Sequence, residues 1–104
     1  MHSEIADKRE ALIALCKRYD VERLEVFGSA RRAADFEPAR SDIDFLVTFA
    51  PNSGDSFAAF LDLKEALEAV LGRPVDLVER KAVEASRNFI RRRRILEEAE
   101  AVYG

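Results

Sequence analysis

Two neighbouring stretches decide the fold of this chain: Val21-Glu22-Arg23-Leu24-Glu25-Val26-Phe27-Gly28-Ser29 and Ser41-Asp42-Ile43-Asp44-Phe45-Leu46-Val47. Each contains a run of apolar and β-branched residues, which is typical of a β-strand. The first run ends at a Gly-Ser pair, and the second begins with two aspartates at alternate positions. Gly28 permits a close approach to the backbone, and a helix beginning at Ser29 would offer free N–H groups to an anion. Together the two stretches predict a site for a phosphate group and a metal ion.

Side-chain alternation assigns the aspartates to one face of the second predicted strand. The other face carries four large apolar residues, so we expect that face to pack against helices. These residues are Ile43, Phe45, Val47 and Phe49. Asp42 and Asp44 therefore point to the opposite, open face, beside the end of the first strand.

The rest of the chain predicts a single domain over residues 1–104, because this length leaves no room for a second core. Apolar residues at helical spacing predict helices over residues 3–18 and 57–71. A short third strand follows over residues 75–78, and a last helix after Lys81 carries Tyr103 on its apolar stripe. The expected fold class is α+β, with a small mixed β-sheet of three to four strands and helices packed on one face.

Asp76 is a third candidate for the same site. It lies inside the apolar run Val75-Asp76-Leu77-Val78, where a carboxylate lowers stability unless it is paired. If its strand neighbours the second strand, Asp42, Asp44 and Asp76 converge. Three such carboxylates do not all stay ionised without a cation, and Mg²⁺ prefers oxygen ligands of this kind. Taken alone, however, Asp-x-Asp at a strand start is most often a turn or a capping element.

This constellation resembles a known family. Gly28-Ser29, a spacer of twelve residues, Asp42-x-Asp44 and Asp76 on a later strand are similar to the motif of the DNA polymerase β superfamily of nucleotidyltransferases. The sequences Phe-Gly-Ser-Ala-Arg and Ser-Asp-Ile-Asp-Phe-Leu-Val resemble the motifs of its smallest branch, the minimal nucleotidyltransferases (MNT). The length of this spacer is at the long end of the range found in the family. We expect this to change the geometry of the loop more than the chemistry of the site.

The resemblance implies a role for each matching residue. Gly28 and Ser29 would hold the phosphates of ATP, and Arg31 or Arg32 would neutralise phosphate charge or else lie in solvent. Two Mg²⁺ ions would be bound by Asp42 and Asp44, with Asp76 completing one metal site and helping to deprotonate the attacking hydroxyl. The reaction implied is attack on the α-phosphate of ATP, with transfer of AMP and release of pyrophosphate.

The resemblance also implies a partner. Minimal nucleotidyltransferases are typically the antitoxin of a HEPN-domain ribonuclease toxin, and they transfer AMP to a tyrosine of that toxin, so a hetero-oligomer is expected. Two alternatives stay open: a non-catalytic antitoxin that neutralises by binding, and a nucleotidyltransferase that acts on a small molecule or an RNA end. The short chain and its net charge of −3 count against the second alternative and against direct nucleic-acid binding.

Composition narrows the chemistry further. Cys16 is the only cysteine, and we expect it to be buried in the core. His2 is the only histidine and lies at the N-terminus. Catalysis by a histidine base is therefore nearly excluded. Without a signal peptide or a membrane-length apolar run, a cytoplasmic location without membrane contact is expected.

Four consecutive arginines, residues 91–94, form an unusual stretch of the last predicted helix. They span about 300° of the helix circumference, so they do not all share one solvent face. At least one is expected at the core boundary, at the active site or against a partner. The alternative is a solvated face with acidic partners nearby.

Overall fold

The computed structural model describes residues 3–28, 43–51 and 57–104. Four strands in these ranges form one sheet in the order β3-β2-β1-β4. Their bounds are β1 (Val21–Phe27), β2 (Ile43–Phe49), β3 (Val75–Glu79) and β4 (Glu100–Tyr103). Strand β1 pairs antiparallel with β2 and β4, whereas β2 and β3 are parallel. The predicted mixed sheet is confirmed, and β1 and β2 have the bounds that the sequence predicts, residues 21–27 and about 43–49.

The helices of the described ranges lie on both sides of this sheet: α1 (Ser3–Asp7), α2 (Arg9–Arg18), α3 (Phe57–Leu71), α4 (Arg80–Glu84) and α5 (Phe89–Glu98). The predicted helix over residues 3–18 is interrupted at Lys8. The predicted last helix is wrong in its extent, since it divides into α4 and α5 and its end is the strand β4. Tyr103 therefore lies in a strand, where β4 satisfies the N–H and C=O groups of the β1 edge.

The larger core lies between one face of the sheet and the helices α1, α2 and α3. Its fully buried members include Ile5, Leu12, Leu24, Phe45 and Leu67. Cys16 is also buried here, as predicted, and burial raises the pKa of its thiol to about 11. The thiol is therefore protonated at neutral pH and serves as a small apolar core side chain.

A smaller core covers part of the opposite face of the sheet. Phe27 and Leu46 pack there against Val83 of α4 and Ile95 of α5. The predicted α+β class is confirmed. The prediction that the helices pack on one face of the sheet is correct only for α1, α2 and α3. Because α4 and α5 cover part of the other face, the face that carries the aspartates is only partly open.

A buried ion pair fixes the start of α4 on this second face. Glu25 of β1 is only 2% exposed, and Nη1 of Arg80 donates to its Oε1 at 2.6 Å and to its Oε2 at 2.7 Å. Nε of Arg23 lies 3.3 Å from the same Oε1. The pKa of Arg80 is raised above its ordinary value, mainly because Arg80 donates a hydrogen bond to Glu25. Two guanidinium groups thus make the burial of this carboxylate tolerable.

Replacing Arg80 by alanine should destabilise the fold strongly, because the Glu25 carboxylate would stay buried with only Arg23 as a partner. We expect a loss of about 3 kcal/mol in the free energy of unfolding, measured by urea denaturation. The double variant Glu25→Leu/Arg80→Leu should lose less, since no buried charge remains. The exposed pair of Arg93 and Glu97 provides the control, and Arg93→Ala should cost about 0.5 kcal/mol or less. An equal effect of Arg80→Ala and Arg93→Ala would contradict this role of the ion pair.

Glu68 fixes the start of β3. Its carboxylate accepts the backbone N–H of Val75 at 3.0 Å and lies 3.3 Å from the ammonium of Lys64. The backbone N–H of Gly72, which has a φ of +70°, donates to the carbonyl oxygen of Glu68 at 2.8 Å. The bond from Val75, followed by Lys64, lowers the pKa of the Glu68 carboxyl below its ordinary value of 4.5. One residue therefore joins the end of α3 to the strand that carries Asp76.

The lowered pKa of Glu68 predicts a pH-dependent contribution to stability. A carboxyl with a lowered pKa in the folded state stabilises the fold above its ordinary pKa of 4.5, and this contribution disappears as pH falls through the folded-state value. Glu68→Gln should therefore be less stable than the parent near neutral pH, and the gap should close in acid. Urea midpoints over an acid series measure it, with the exposed Glu65→Gln on the same helix as control. A gap that stays constant into strong acid would contradict the assignment.

Candidate active site

Asp44 and Asp76 meet at one end of the parallel strand pair. They are register partners in the β2–β3 ladder, where paired Cα atoms lie about 4.8 Å apart. The next residues, Phe45 and Leu77, are also partners and are buried in the larger core. Since side chains alternate, both aspartates point to the opposite face. The predicted neighbourhood of Asp76 with the second strand is confirmed.

Gly28 closes the site on the side of β1. Phe27 is the register partner of Asp44, and Gly28 follows it with a φ of +71°. A Cβ atom at Gly28 would lie only 2.8 Å from Oδ2 of Asp44, closer than Cβ atoms come to such groups. The backbone conformation thus favours glycine, and a Cβ atom there would also force the Asp44 carboxylate to move.

Three of the predicted site residues are therefore placed together: Gly28, Asp44 and Asp76. The other predicted site residues lie outside the described residues, and their roles stay predictions: Ser29, Arg31, Arg32 and Asp42. Within the described ranges, the structure contains no group of three or more side chains able to hold a metal.

The chemistry of the donors fits a hard divalent cation. Asp44 is half-buried and Asp76 is exposed, and both offer only carboxylate oxygens on one face. Like charges at directly paired positions of a sheet repel each other, and a cation between them relieves that repulsion. Magnesium commonly uses one or two carboxylates together with phosphate oxygens.

The helices α4 and α5 form a wall beside these carboxylates. A cavity of about 140 Å³ lies between them and the sheet, and its lining includes Val78, Val83, Arg91 and Ile95. Val78 follows Asp76 by two residues, so it lies on the same face about 6.6 Å further along β3. A larger recess of about 540 Å³ lies near Arg23, Thr48 and Lys81. Thr48, in the lining of this recess, is four residues along β2 from Asp44, so the recess lies at the other end of the same face of the sheet.

The arginines of α5 differ in their surroundings, as the helix geometry predicts. Nη1 of Arg92 donates to the carbonyl oxygens of Glu84 and Ser86 at 3.3 and 3.2 Å. Nε of Arg93 lies 3.0 Å from Glu97, and Nε of Arg94 lies 3.5 Å from Glu98. Arg91 instead lines the cavity beside Val78.

Sequence reasoning missed the ionic support of this wall. Glu25 sits between Leu24 and Val26, and a carboxylate within a buried strand signals a cationic partner. That partner, Arg80, is 55 residues away in the chain, and only the topology brings the two together.

Residues 8–102 match the model of a family described as the nucleotidyltransferase domain. Protein adenylyltransferase MntA of Thermococcus cleftensis is 39% identical over 71 residues, which cover 68% of each chain. An inferred protein adenylyltransferase of Methanocaldococcus jannaschii is 41% identical over 66 residues, and the match spans 64% of each protein. This chain belongs to the nucleotidyltransferase family, and the enzyme class predicted from its sequence is confirmed.

Solved structures agree with this assignment. The structure of an inferred minimal nucleotidyltransferase superposes with a TM-score of 0.74 at 34% identity, covering 96% of this chain and 95% of that one. A complex of a Shewanella oneidensis HEPN toxin with its MNT antitoxin gives a TM-score of 0.64 at 19% identity, covering 96% and 72%. The resemblance to the minimal nucleotidyltransferases is confirmed. In the described ranges, no helix has the length and apolar character needed to cross a bilayer.

The close approach of Gly28 to Asp44 is testable with a matched pair of glycines. Gly28 and Gly72 both have positive φ, but a Cβ at Gly72 would meet nothing within 4 Å. Alanine at either position should cost about 1 kcal/mol in unfolding free energy, because an L residue is strained there. Only Gly28→Ala should also displace the Asp44 carboxylate and weaken binding of AMP-PNP with Mg²⁺ at least tenfold, measured by calorimetry. Equal binding by the two variants would mean that this approach has no role in the site.

Proposed function

We propose that this chain is a Mg²⁺-dependent protein adenylyltransferase that transfers AMP from ATP to a tyrosine hydroxyl of a HEPN-domain toxin and thereby acts as its antitoxin. The observation that carries the proposal is the pairing of Asp44 with Asp76 beside Gly28. The names of the relatives, which are protein adenylyltransferases, support it. So does the fold shared with MNT antitoxins that were solved bound to HEPN toxins. The proposed location is the cytoplasm, and the proposed assembly is a hetero-oligomer.

Each site residue has a role in this proposal. Asp42, Asp44 and Asp76 would hold two Mg²⁺ ions, which supply charge neutralisation at the α-phosphate and at the leaving group. Gly28 and Ser29 bind the phosphates, with Arg31 or Arg32 as counter-charges. Gly28 contributes the backbone geometry that lets a phosphate approach the end of β1 beside the Asp44 carboxylate.

The transfer itself is an in-line displacement. The acceptor hydroxyl oxygen forms a bond to the α-phosphorus, and the bond from that phosphorus to the bridging oxygen breaks. Pyrophosphate leaves with the electron pair of that bond, and Asp76 accepts the proton of the hydroxyl. The exposed position of Asp76 suits this role, because an acceptor from another protein reaches it from solvent.

Label transfer from α-labelled ATP tests the proposal. With Mg²⁺ and the co-expressed HEPN-domain protein, the parent chain should label that protein, and a chelator should abolish the reaction. Asp44→Asn and Asp76→Asn should each reduce the rate by about a hundredfold or more, because each removes a carboxylate from the reacting centre. Asp62→Asn, on the exposed side of α3, is the matched control and should retain the rate.

Stability measurements separate a lost site from a lost fold. Asp76→Asn removes one of two adjacent like charges and should leave the metal-free protein at least as stable as the parent. Transfer that survives both Asp44→Asn and Asp76→Asn would show that the site is wrongly assigned. Toxin neutralisation without any labelling would favour an antitoxin that acts by binding alone. Labelling of a small molecule or an RNA end without the partner would favour the other alternative.

A further inference from the structure

Exposed large apolar side chains occur at two places in the described part of the chain. Phe57 is 74% and Leu61 41% exposed on α3, whereas Phe89 is 68% and Ile90 84% exposed at the start of α5. Helix α3 packs on the sheet face opposite the aspartates, through Leu63 and Leu67. Helix α5 packs on the same face as the aspartates. Only the pair on α5 therefore belongs to the layer of the active site.

Positive charge accompanies this apolar pair. Arg87 and Arg91 flank Phe89 and Ile90 in the sequence, and both arginines are exposed. Among the ion pairs of the described residues, neither arginine has a carboxylate partner, in contrast to Arg93 and Arg94. A surface with two apolar side chains and two uncompensated arginines complements an apolar and acidic surface on another protein.

The geometry of the reaction points to the same side of the site. Gly28, where the phosphates are proposed to bind, lies on the β1 side of Asp44, and Asp76 lies on the β3 side. An in-line displacement puts the leaving group and the nucleophile on opposite sides of the phosphorus. If pyrophosphate leaves on the β1 side, the acceptor hydroxyl approaches over β3. There the cavity beside Val78 has Arg91 in its lining.

We propose that Arg87, Phe89, Ile90 and Arg91, here called the α5 surface, dock the acceptor protein and present its hydroxyl to Asp76. This inference rests on the proposed function and deepens it by naming where the acceptor binds. The occupant is a segment of the acceptor with apolar side chains for Phe89 and Ile90 and carboxylates for the two arginines. The start of α5 is held firmly, because the N–H of Arg91 donates to the Asn88 side chain at 3.1 Å. Arg92 also donates to the carbonyl oxygens of Glu84, the last residue of α4, and of Ser86 in the α4–α5 connection.

Matched substitutions on the two exposed patches test the α5 surface. The probe is the HEPN-domain protein used in the label-transfer experiment, and the measurements are its Kd without ATP, its KM in label transfer and the Kd of AMP-PNP. Ile90→Asp and Arg91→Glu should each raise the Kd and the KM of the probe at least tenfold and leave the Kd of AMP-PNP unchanged. Phe57→Asp and Arg9→Glu carry the same changes on exposed residues of α3 and α2, away from the α5 surface, and should leave all three constants near those of the parent.

The outcomes separate the two proposals. Equal effects of the α5 variants and their controls would overturn the docking surface even where the parent labels the probe. A parallel loss of AMP-PNP binding in Arg91→Glu would assign Arg91 to the nucleotide instead and would also overturn it. If the parent binds the probe without labelling it, the proposed function fails, and the Kd values alone decide the docking surface. If the parent neither binds nor labels the probe, both proposals fail.

Discussion

The register of the parallel pair β2–β3 is the constraint on which the site depends. Ile43 pairs with Val75 and Phe45 with Leu77, all buried in the larger core, and this alternation turns Asp44 and Asp76 together to the other face. A slip by one residue would bury Asp76 and expose Leu77, so burial of the apolar partners opposes it. Burial on one side of the sheet thus determines which charges meet on the other.

The second face of the sheet combines two kinds of carboxylate. Glu25 is buried and held by guanidinium groups, so its charge is neutralised permanently and anchors α4. Asp44 and Asp76 lie nearer the open end of the face, where Asp44 is half-buried and Asp76 is exposed. The same chemical group, a carboxylate, therefore stabilises the fold at one end of this face and is open to solvent at the other, and burial makes the difference.

Much of the fold follows from the sequence because its signals are local. Alternation and the Gly-Ser stop set the predicted bounds of β1 and β2, and Gly72 ends α3 with the positive φ expected of a helix terminus. The end of the chain was predicted wrongly because its apolar residues fit a helical stripe, whereas pairing with the β1 edge decides the strand. The partner of Glu25 and the layer formed by α4 and α5 depend on contacts between distant residues. The adjacency of Asp76 and Asp44 was foreseen only on the condition of neighbouring strands, and the roles of all the predicted site residues remain predictions.

The order of elements along the chain separates two parts of the molecule. The helices α4 and α5 occupy one continuous segment between β3 and β4, and β1, β2 and β3, with Gly28, Asp44 and Asp76, precede it. Substitutions in that segment, away from Arg80 and the small core, change the wall without altering the strand register. The surface beside the aspartates can therefore change while the register that pairs Asp44 with Asp76 stays the same. A chain with other side chains over residues 86–94 would still place Asp44 beside Asp76.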